Sequence, residues 1–590
     1  MHFPINRRTR QAALPLLCAL VCACGHTQSA PRPGPKVMGQ AGEAAGGASA
    51  ESGGASGDND GEVATPCEGT VAPVPKRLVR LSLGQIRNAM AALTDETEGA
   101  LLTTTYELLE PEQRTFPPLA SPREGSAFIP TVWATTDKMA ADVGSYALEH
   151  LDELSGCGAT PSDACVRRFL PELAERAYRR PLTSDDEASL LQVVSEVLTD
   201  GGTPADALRY GVYAVFESPQ FLYRTELGVD PAAAGALTSA EMASQLSFFL
   251  TDGPPDQQLL DAAAADELTD PARIATEAER LLKTPATQQN LEAALFSYFG
   301  LYNLDSVIID DGTFTPRVRG SMHREAQLFF ANTLWSGPFS ELLTSRRAAV
   351  DASLAPLYGL ATFPPAGSQL DAEGFALVEL PDERAGLLTQ LGYLTARSRP
   401  ESAWVVGRGL SVNTEVLCGE NPPFPVALPD ALRTVPNLAN ATEREKSEYR
   451  TTTMPCAPCH LLFDPYGLAL ENFDLLGRYV TQDSQGRPID TRVTLPALAG
   501  GQEVQSAAEM AQTLAASPAF RACMTQRLLT YALAESPNDP ASAPSLAVNG
   551  CAPRAVADKL AWPDATFSEL VTGIASSDTL RLRAADPGAP

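Results

Sequence analysis

Cys456-Ala457-Pro458-Cys459-His460 is the stretch of this chain whose residue types and spacing spell a definite chemistry. Two thiols three positions apart can each add to a vinyl group of one porphyrin. The histidine beside the second thiol then falls beneath the iron as an axial ligand. A chain with five histidines and eleven cysteines among 590 residues rarely meets this pattern by chance. The competing readings are a disulfide between Cys456 and Cys459 and a zinc knuckle. Zinc needs further ligands at knuckle spacing, and Cys418 and Cys523, the nearest other cysteines, stand alone with no second C-x-x-C. The motif therefore predicts one covalently attached haem c, bound through Cys456 and Cys459, with His460 as the ligand to iron.

The residues that follow read as a haem crevice. His460 opens a short helix expected to stop near Asp464, because proline disfavours helical backbone in the residue before it. Leu468, Leu470, Phe473 and Leu476 then offer apolar side chains to the porphyrin or to an ordinary core. Arg478 offers a guanidinium to a propionate, since its fork matches a carboxylate; Glu471 and Asp474 are its alternative partners. Candidate distal ligands are Met510 and Met524, downstream at a spacing common in small c-type cytochromes, with His26 in the tether and His150 and His323 elsewhere in the body. The sequence selects none of them. Met454 lies too near the motif to wrap around the ring. No G-x-S-x-G elbow, H-E-x-x-H pair or P-loop competes. Carboxylate pairs such as Asp185-Asp186 and Asp310-Asp311 are weak glycosidase signals in so acidic a chain.

The elements that must position this motif read as helices. Ser82 with Gln85, Thr183 with Asp186, and Thr238 with Glu241 each stand at capping-box spacing before an apolar periodic run. Residues 509–534 read as long helical segments broken near Pro518. Strand alternation is scarce, so the fold class is mainly α: a multi-helix body with a small cytochrome c-like haem module towards the C-terminus. Proline-rich breaks at 252–255, 363–367 and 421–429 suggest boundaries. The expected organisation is a helical region at 67–155, a helical module at 156–230, a central helical domain at 231–365, a haem c-binding module at 366–500 and a C-terminal helical module at 501–590.

Several segments carry a family resemblance. Phe169-Leu170, Arg176-Ala-Tyr-Arg-Arg-Pro-Leu-Thr183 and Ser218-Pro-Gln-Phe-Leu-Tyr-Arg224 look like the central region of the bacterial family known as domain of unknown function 1592. Leu237 to Leu250 and Arg384-Ala-Gly-Leu-Leu-Thr389 extend the likeness. Cys456 through Arg478 is similar to the companion module that carries C-x-x-C-H in that family, and together these segments cover most of 75–590. The chain departs from the pattern at Ser398-Arg-Pro-Glu-Ser402. The resemblance implies an exported, largely helical, haem c-containing protein and no particular reaction.

Export is also legible in the residues. Arg7, Arg8 and Arg10 precede an apolar run from Ala12 to Ala23, which is too short to span a bilayer. Val21-Cys22-Ala23-Cys24 resembles a lipobox, so residues 1–24 read as a lipoprotein signal peptide with Cys24 as the lipidated residue. Ordinary signal cleavage near Ala30 is the alternative. Gly25 at the next position favours the outer membrane, facing periplasm or cell surface. Residues 25–66 hold ten glycines and no aromatic, leucine or isoleucine. They cannot bury a core and read as a disordered tether with a span of about 35 Å. The formal net charge of −28 repels phosphate backbones and disfavours nucleic acid; it suits a basic redox protein partner.

Beyond the signal peptide and the lipid and haem positions, six cysteines remain, an even number as expected of an oxidised, exported chain. Cys157 and Cys165 flank a short loop and are expected to pair. Cys523 and Cys551 bracket another proline-rich loop, which leaves Cys67 for Cys418. Two functional classes follow from these readings. One is a redox protein in the cell envelope: an electron carrier, or a peroxidase-like or oxygenase-like enzyme. The other is a surface-anchored binding or assembly protein that recognises an envelope polymer or protein and uses covalent haem as a structural staple.

The lipobox yields a direct test. Stable membrane residence needs more than one acyl chain, which a processed lipoprotein carries. Cys24→Ser is expected to move the protein from the membrane fraction to a soluble or mislocalised form. Fractionation unchanged from wild type would point instead to secretion without lipid.

Overall fold

A computed structural model describes residues 73–94, 130–158, 160–230, 232–422, 438–535 and 550–585. The signal, tether, Cys24 and Cys67 readings lie outside the described residues.

The described chain is mainly helical, and its helices start where hydroxyl side chains can satisfy the first free amides. Ser82, Thr183 and Thr238 each close a capping box with Gln85, Asp186 and Glu241, as expected from sequence. Thr203, Thr442 and Thr566 do the same. Such caps contribute about 1 kcal/mol each. The 509–534 stretch forms helices Ala507–Ala516 and Pro518–Ala532, with Ser517 capping the second and Pro518 at its first position.

The helices bury their apolar faces in three clusters. The first joins Leu83–Leu93, Pro130–Glu149, Asp163–Tyr178, Ser184–Thr199 and Pro204–Glu217 around Ile86, Val143, Leu170, Val212 and Phe216. The second is the largest, running from Val74 and Leu237 through Phe330, Tyr466 and Leu529 to Leu580. In the third, the antiparallel pair Arg347–Val350 and Ala376–Glu379 packs with Val318 and Met322 of the helix Pro316–Thr333. The expected segments 231–365, 366–500 and 501–590 therefore share one core. The break at 252–255 only ends a helix, where Asp252 adopts left-handed backbone.

Two short sheets join the ends of the described body. Val74–Pro75 pairs in parallel with Leu582–Ala584, which pairs antiparallel with Gly235–Ala236. Arg77–Arg80 pairs antiparallel with Tyr223–Glu226, setting Arg77 opposite Glu226. Glu226 is buried and accepts from Arg77 Nε at 2.7 Å and from Arg583 Nε at 2.8 Å. Arg77 also reaches Glu535 at 2.6 Å. Burial alone would raise the Glu226 carboxyl, but Arg583, Arg77 and Arg224 together hold it at about 2.

The cysteines correct part of the expected pairing. Cys157 is bonded to Cys165, as expected. Cys418 is bonded to Cys523, in place of the expected Cys523–Cys551 and Cys67–Cys418 pairs. Cys523 is buried in the core on the helix Pro518–Ala532, and packing brings the segment after Val412–Val416 against it, with the two Cα atoms 5.3 Å apart. Closing a loop of 105 residues contributes about 4–5 kcal/mol in the chain-entropy picture. Cys551 is disulfide-bonded, and its partner is not among the described residues. No helix of the described residues is long and apolar enough to cross a membrane.

Replacing Glu226 by Gln leaves two buried guanidinium groups short of their charge partner. The expected loss is about 3–5 kcal/mol, read as a lower midpoint in chemical unfolding at pH 7. A carboxyl held below its unfolded value stabilises above that value and loses the contribution as pH falls through the folded one. Wild type should therefore lose stability between about pH 4.5 and 2, and Glu226→Gln should lose less over the same range.

Candidate haem site around Cys456, Cys459 and His460

Three helices build the site. Glu443–Thr452 leads into a turn at Thr453–Cys456, closed by the Cys456 amide donating to the Thr453 carbonyl at 2.9 Å. Ala457–Ala469 follows, and Val405–Ser411 crosses it. Cys456 stands at the helix N-cap and Cys459 lies one turn on. Both thiols are free and half-buried, whereas the other described cysteines are in disulfides.

His460 is oriented by a carboxylate one turn along the same helix. Its Nδ1 lies 2.8 Å from Asp464 Oδ1, and Arg450 Nε donates to Asp464 Oδ2 at 2.9 Å. Asp464 is fully buried. Burial pushes its carboxyl up, but the hydrogen bond from His460, the Arg450 guanidinium and Ser447 outweigh that and hold it below the usual range. An ionised Asp464 only accepts, so the proton sits on Nδ1 and the His460 Nε2 lone pair is left for a metal. Arg450 keeps a buried Nη2 with no hydrogen-bond partner. Met454 and Leu461, flanking the motif, are exposed apolar side chains.

The helix does not stop at Asp464. It runs through Pro465 to Ala469, although a proline there removes the hydrogen bond to the Leu461 carbonyl. Leu461 is exposed, where water can serve that carbonyl, and packing holds the second half of the helix. A Cβ on Gly409 would lie 2.1 Å from the Phe463 carbonyl oxygen, and one on Gly467 would lie 2.0 Å from that of Val405. The two backbones cross at a distance that only glycine permits. Arg408, buried next to Gly409 in sequence, donates to the Phe473 and Asp474 carbonyls at 2.5 and 2.6 Å and fixes the chain beyond the helix.

Other expected crevice residues serve the protein itself. Leu468, Leu470 and Phe473 are buried in the main core, and Leu476 is buried too. The Arg384 guanidinium lies 4.7 Å from the centre of the Phe473 ring. Arg478, expected at a propionate, is held by Asp474 at 2.5 Å and Asp311 at 2.7 Å, so both of its faces are already neutralised. Arg450 was missed by sequence reasoning; its signal is a lone basic residue in the last turn of a helix leading into the motif. Among the described residues no group of three or more His, Cys, Asp or Glu side chains is placed to hold a metal ion.

Four family models match in chain order, each described as a protein of unknown function: DUF1595 over residues 165–226, DUF1592 over 237–360, DUF1588 over 384–483 and DUF1585 over 500–580. The chain belongs to the multi-module DUF1592 family. Cys456, Cys459, His460, Asp464 and Arg450 all fall within the DUF1588 match. In this DUF1592-family chain, the DUF1595 match lies in the first apolar cluster, while the other three matches supply the shared core. No curated protein and no solved structure matches the chain.

The glycine crossing sets a stability test. Gly409→Ala drives a methyl group into backbone, which cannot swing aside as a side chain does. The expected cost is about 3 kcal/mol or more, read by thermal unfolding. Gly320→Ala, on an open helix surface with nothing within 4 Å of the new Cβ, is expected to be neutral or slightly stabilising.

Proposed function

We propose that this chain is an exported, membrane-tethered haem c protein that works in electron transfer or haem-dependent redox chemistry in the cell envelope. The observation that carries the reading is the hydrogen bond from His460 to Asp464. It leaves Nε2 free as a ligand one residue from a free thiol and four from another. Metal-bound histidines characteristically donate their second nitrogen to a carboxylate in this way.

The donor set fits the group. Cys456 and Cys459 would form the two thioethers, and His460 would bind iron through Nε2. Arg450 has an unpaired guanidinium nitrogen to offer a propionate. When bound, haem c supplies an iron centre that exchanges single electrons. The protein contributes the rest: Asp464 holds the imidazole at a fixed tautomer, and the Val405–Ser411 helix holds the imidazole-bearing helix in place. The haem segment is a part of the main core rather than a separable cytochrome. The acidic surface suits a basic redox partner, and a lipid on Cys24 would keep the protein at the outer membrane.

Mass spectrometry tests the attachment. Protein made in cells with haem c maturation machinery is expected to exceed the apo mass by one haem, and Cys456→Ala should leave at most one thioether. Release of all haem by acid–acetone after unfolding would defeat the reading. Asp464→Asn keeps both thioethers but weakens the acceptor on His460. The reduction potential is then expected to rise, because a less basic imidazole stabilises ferric iron less.

A further inference from the structure

We propose that the cleft beside the contact of the helices Pro271–Leu281 and Phe567–Ala575 is a binding site for a neutral saccharide. The cleft has a volume of about 720 Å³, within the roughly 300–1,000 Å³ of sites that take small organic ligands. Its walls come from two family matches, DUF1592 over 237–360 and DUF1585 over 500–580, and ligands favour such junctions. None of its lining residues belongs to the match that holds Cys456, so the proposal does not rest on the haem reading.

The charges on its walls lack partners. Of the five described lysines, Lys76, Lys138 and Lys446 engage the Asp230 carbonyl, Asp142 and Glu443. Lys283 and Lys559 make no hydrogen bond or ion pair among the described residues, and both line this cleft. Glu279, unpaired in the same sense, and Glu569 line it as well. One carboxylate oxygen of Glu569 accepts from the Thr566 amide at 2.7 Å and hydroxyl at 2.9 Å, which leaves the other open. The cleft thus carries two cations and two anions, and no ion pair joins them.

A cleft without net charge gives a simple ion no advantage. It matches a ligand whose groups each donate and accept. Lysine only donates and an ionised carboxylate only accepts, whereas a sugar hydroxyl between them does both. Thr572 adds a hydroxyl oxygen that is shut off from bulk water and has no hydrogen-bond partner in the protein. Ser568 and Ser576 extend the uncharged polar lining, which favours hydroxyl groups over the full charges of a zwitterion.

Trp335 supplies the apolar wall. Its indole N–H donates to Glu292 at 2.7 Å, and its ring stands edge-on to Phe567 with 5.4 Å between centres. The ring is therefore locked before a ligand arrives. A rigid aromatic plane suits the C–H face of a pyranose, whose hydroxyls then point to the polar rim.

Saturation-transfer nuclear magnetic resonance and calorimetry on the full chain test the site, with cellotetraose, maltotetraose and chitotetraose as neutral probes. At least one of the three is expected to bind saturably, with an affinity insensitive to salt. Lys559→Met and Glu279→Ala, both at exposed positions, should each weaken it about tenfold. Lys138→Met, on the helix Pro130–Glu149, should leave it unchanged. Circular dichroism checks that each variant is folded. Failure of all three sugars to bind overturns the proposal, as does binding that neither cleft variant weakens. Tighter binding of trigalacturonate or of tetra-alanine than of any neutral sugar also overturns it, in favour of an anion or a peptide.

Discussion

Asp464 is a carboxylate that water does not reach, and the site depends on its staying charged. Alone in that position it would take up a proton, become a donor and lose its hold on His460. Arg450, Ser447 and the imidazole prevent this by surrounding it with donors. The same contacts tie the helix before the motif to the helix that bears it. Cys456 and Cys459 lie between these two anchored points, at the N-cap and in the first turn of the second helix.

The glycine crossing supplies the second constraint. Gly409 and Gly467 let two backbones meet, and Arg408 fills the wedge beyond them with hydrogen bonds to main-chain carbonyls. Burial lowers that guanidinium to about 9, because its acceptors are the Leu394, Leu470, Phe473 and Asp474 carbonyls and the Ser398 hydroxyl rather than a carboxylate. The motif-bearing helix is packed against Val405–Ser411 and Glu443–Thr452 of the same family match and against Ala507–Ala516 of the next.

Much of this was legible in sequence because it is local. Capping boxes, the proline at 518, the short Cys157–Cys165 loop and the C-x-x-C-H spacing all depend on residues a few positions apart. The misreadings share the opposite character. Pro465 was expected to end a helix, yet the glycine crossing overrides its backbone preference. Cys523 was assigned to Cys551 across a loop, but a buried helix face turns it to Cys418. Arg478 was open to a propionate or to Asp474; Asp474 holds it, together with Asp311, which lies far back in the chain and carried no sign of proximity. For Leu468, Leu470 and Phe473 the spacing left porphyrin and core both open, and they meet the core. The role of Arg450 needed Asp464 to be seen as buried.

The knot at Glu226 has a bearing on how the protein is made. Its arginine partner Arg77 precedes it by 149 residues, and Arg583 follows it by 357. A growing chain thus has a partial partner early and gains the full set only when its last strand arrives, a costly order for non-local contacts. A ribosome that stops short, or a protease that trims the tail, leaves a charged pair open at the foot of the core and the strand at Val74–Pro75 without a neighbour. A copy without its last strand therefore presents an unpaired edge at Val74–Pro75, which the full pairing covers.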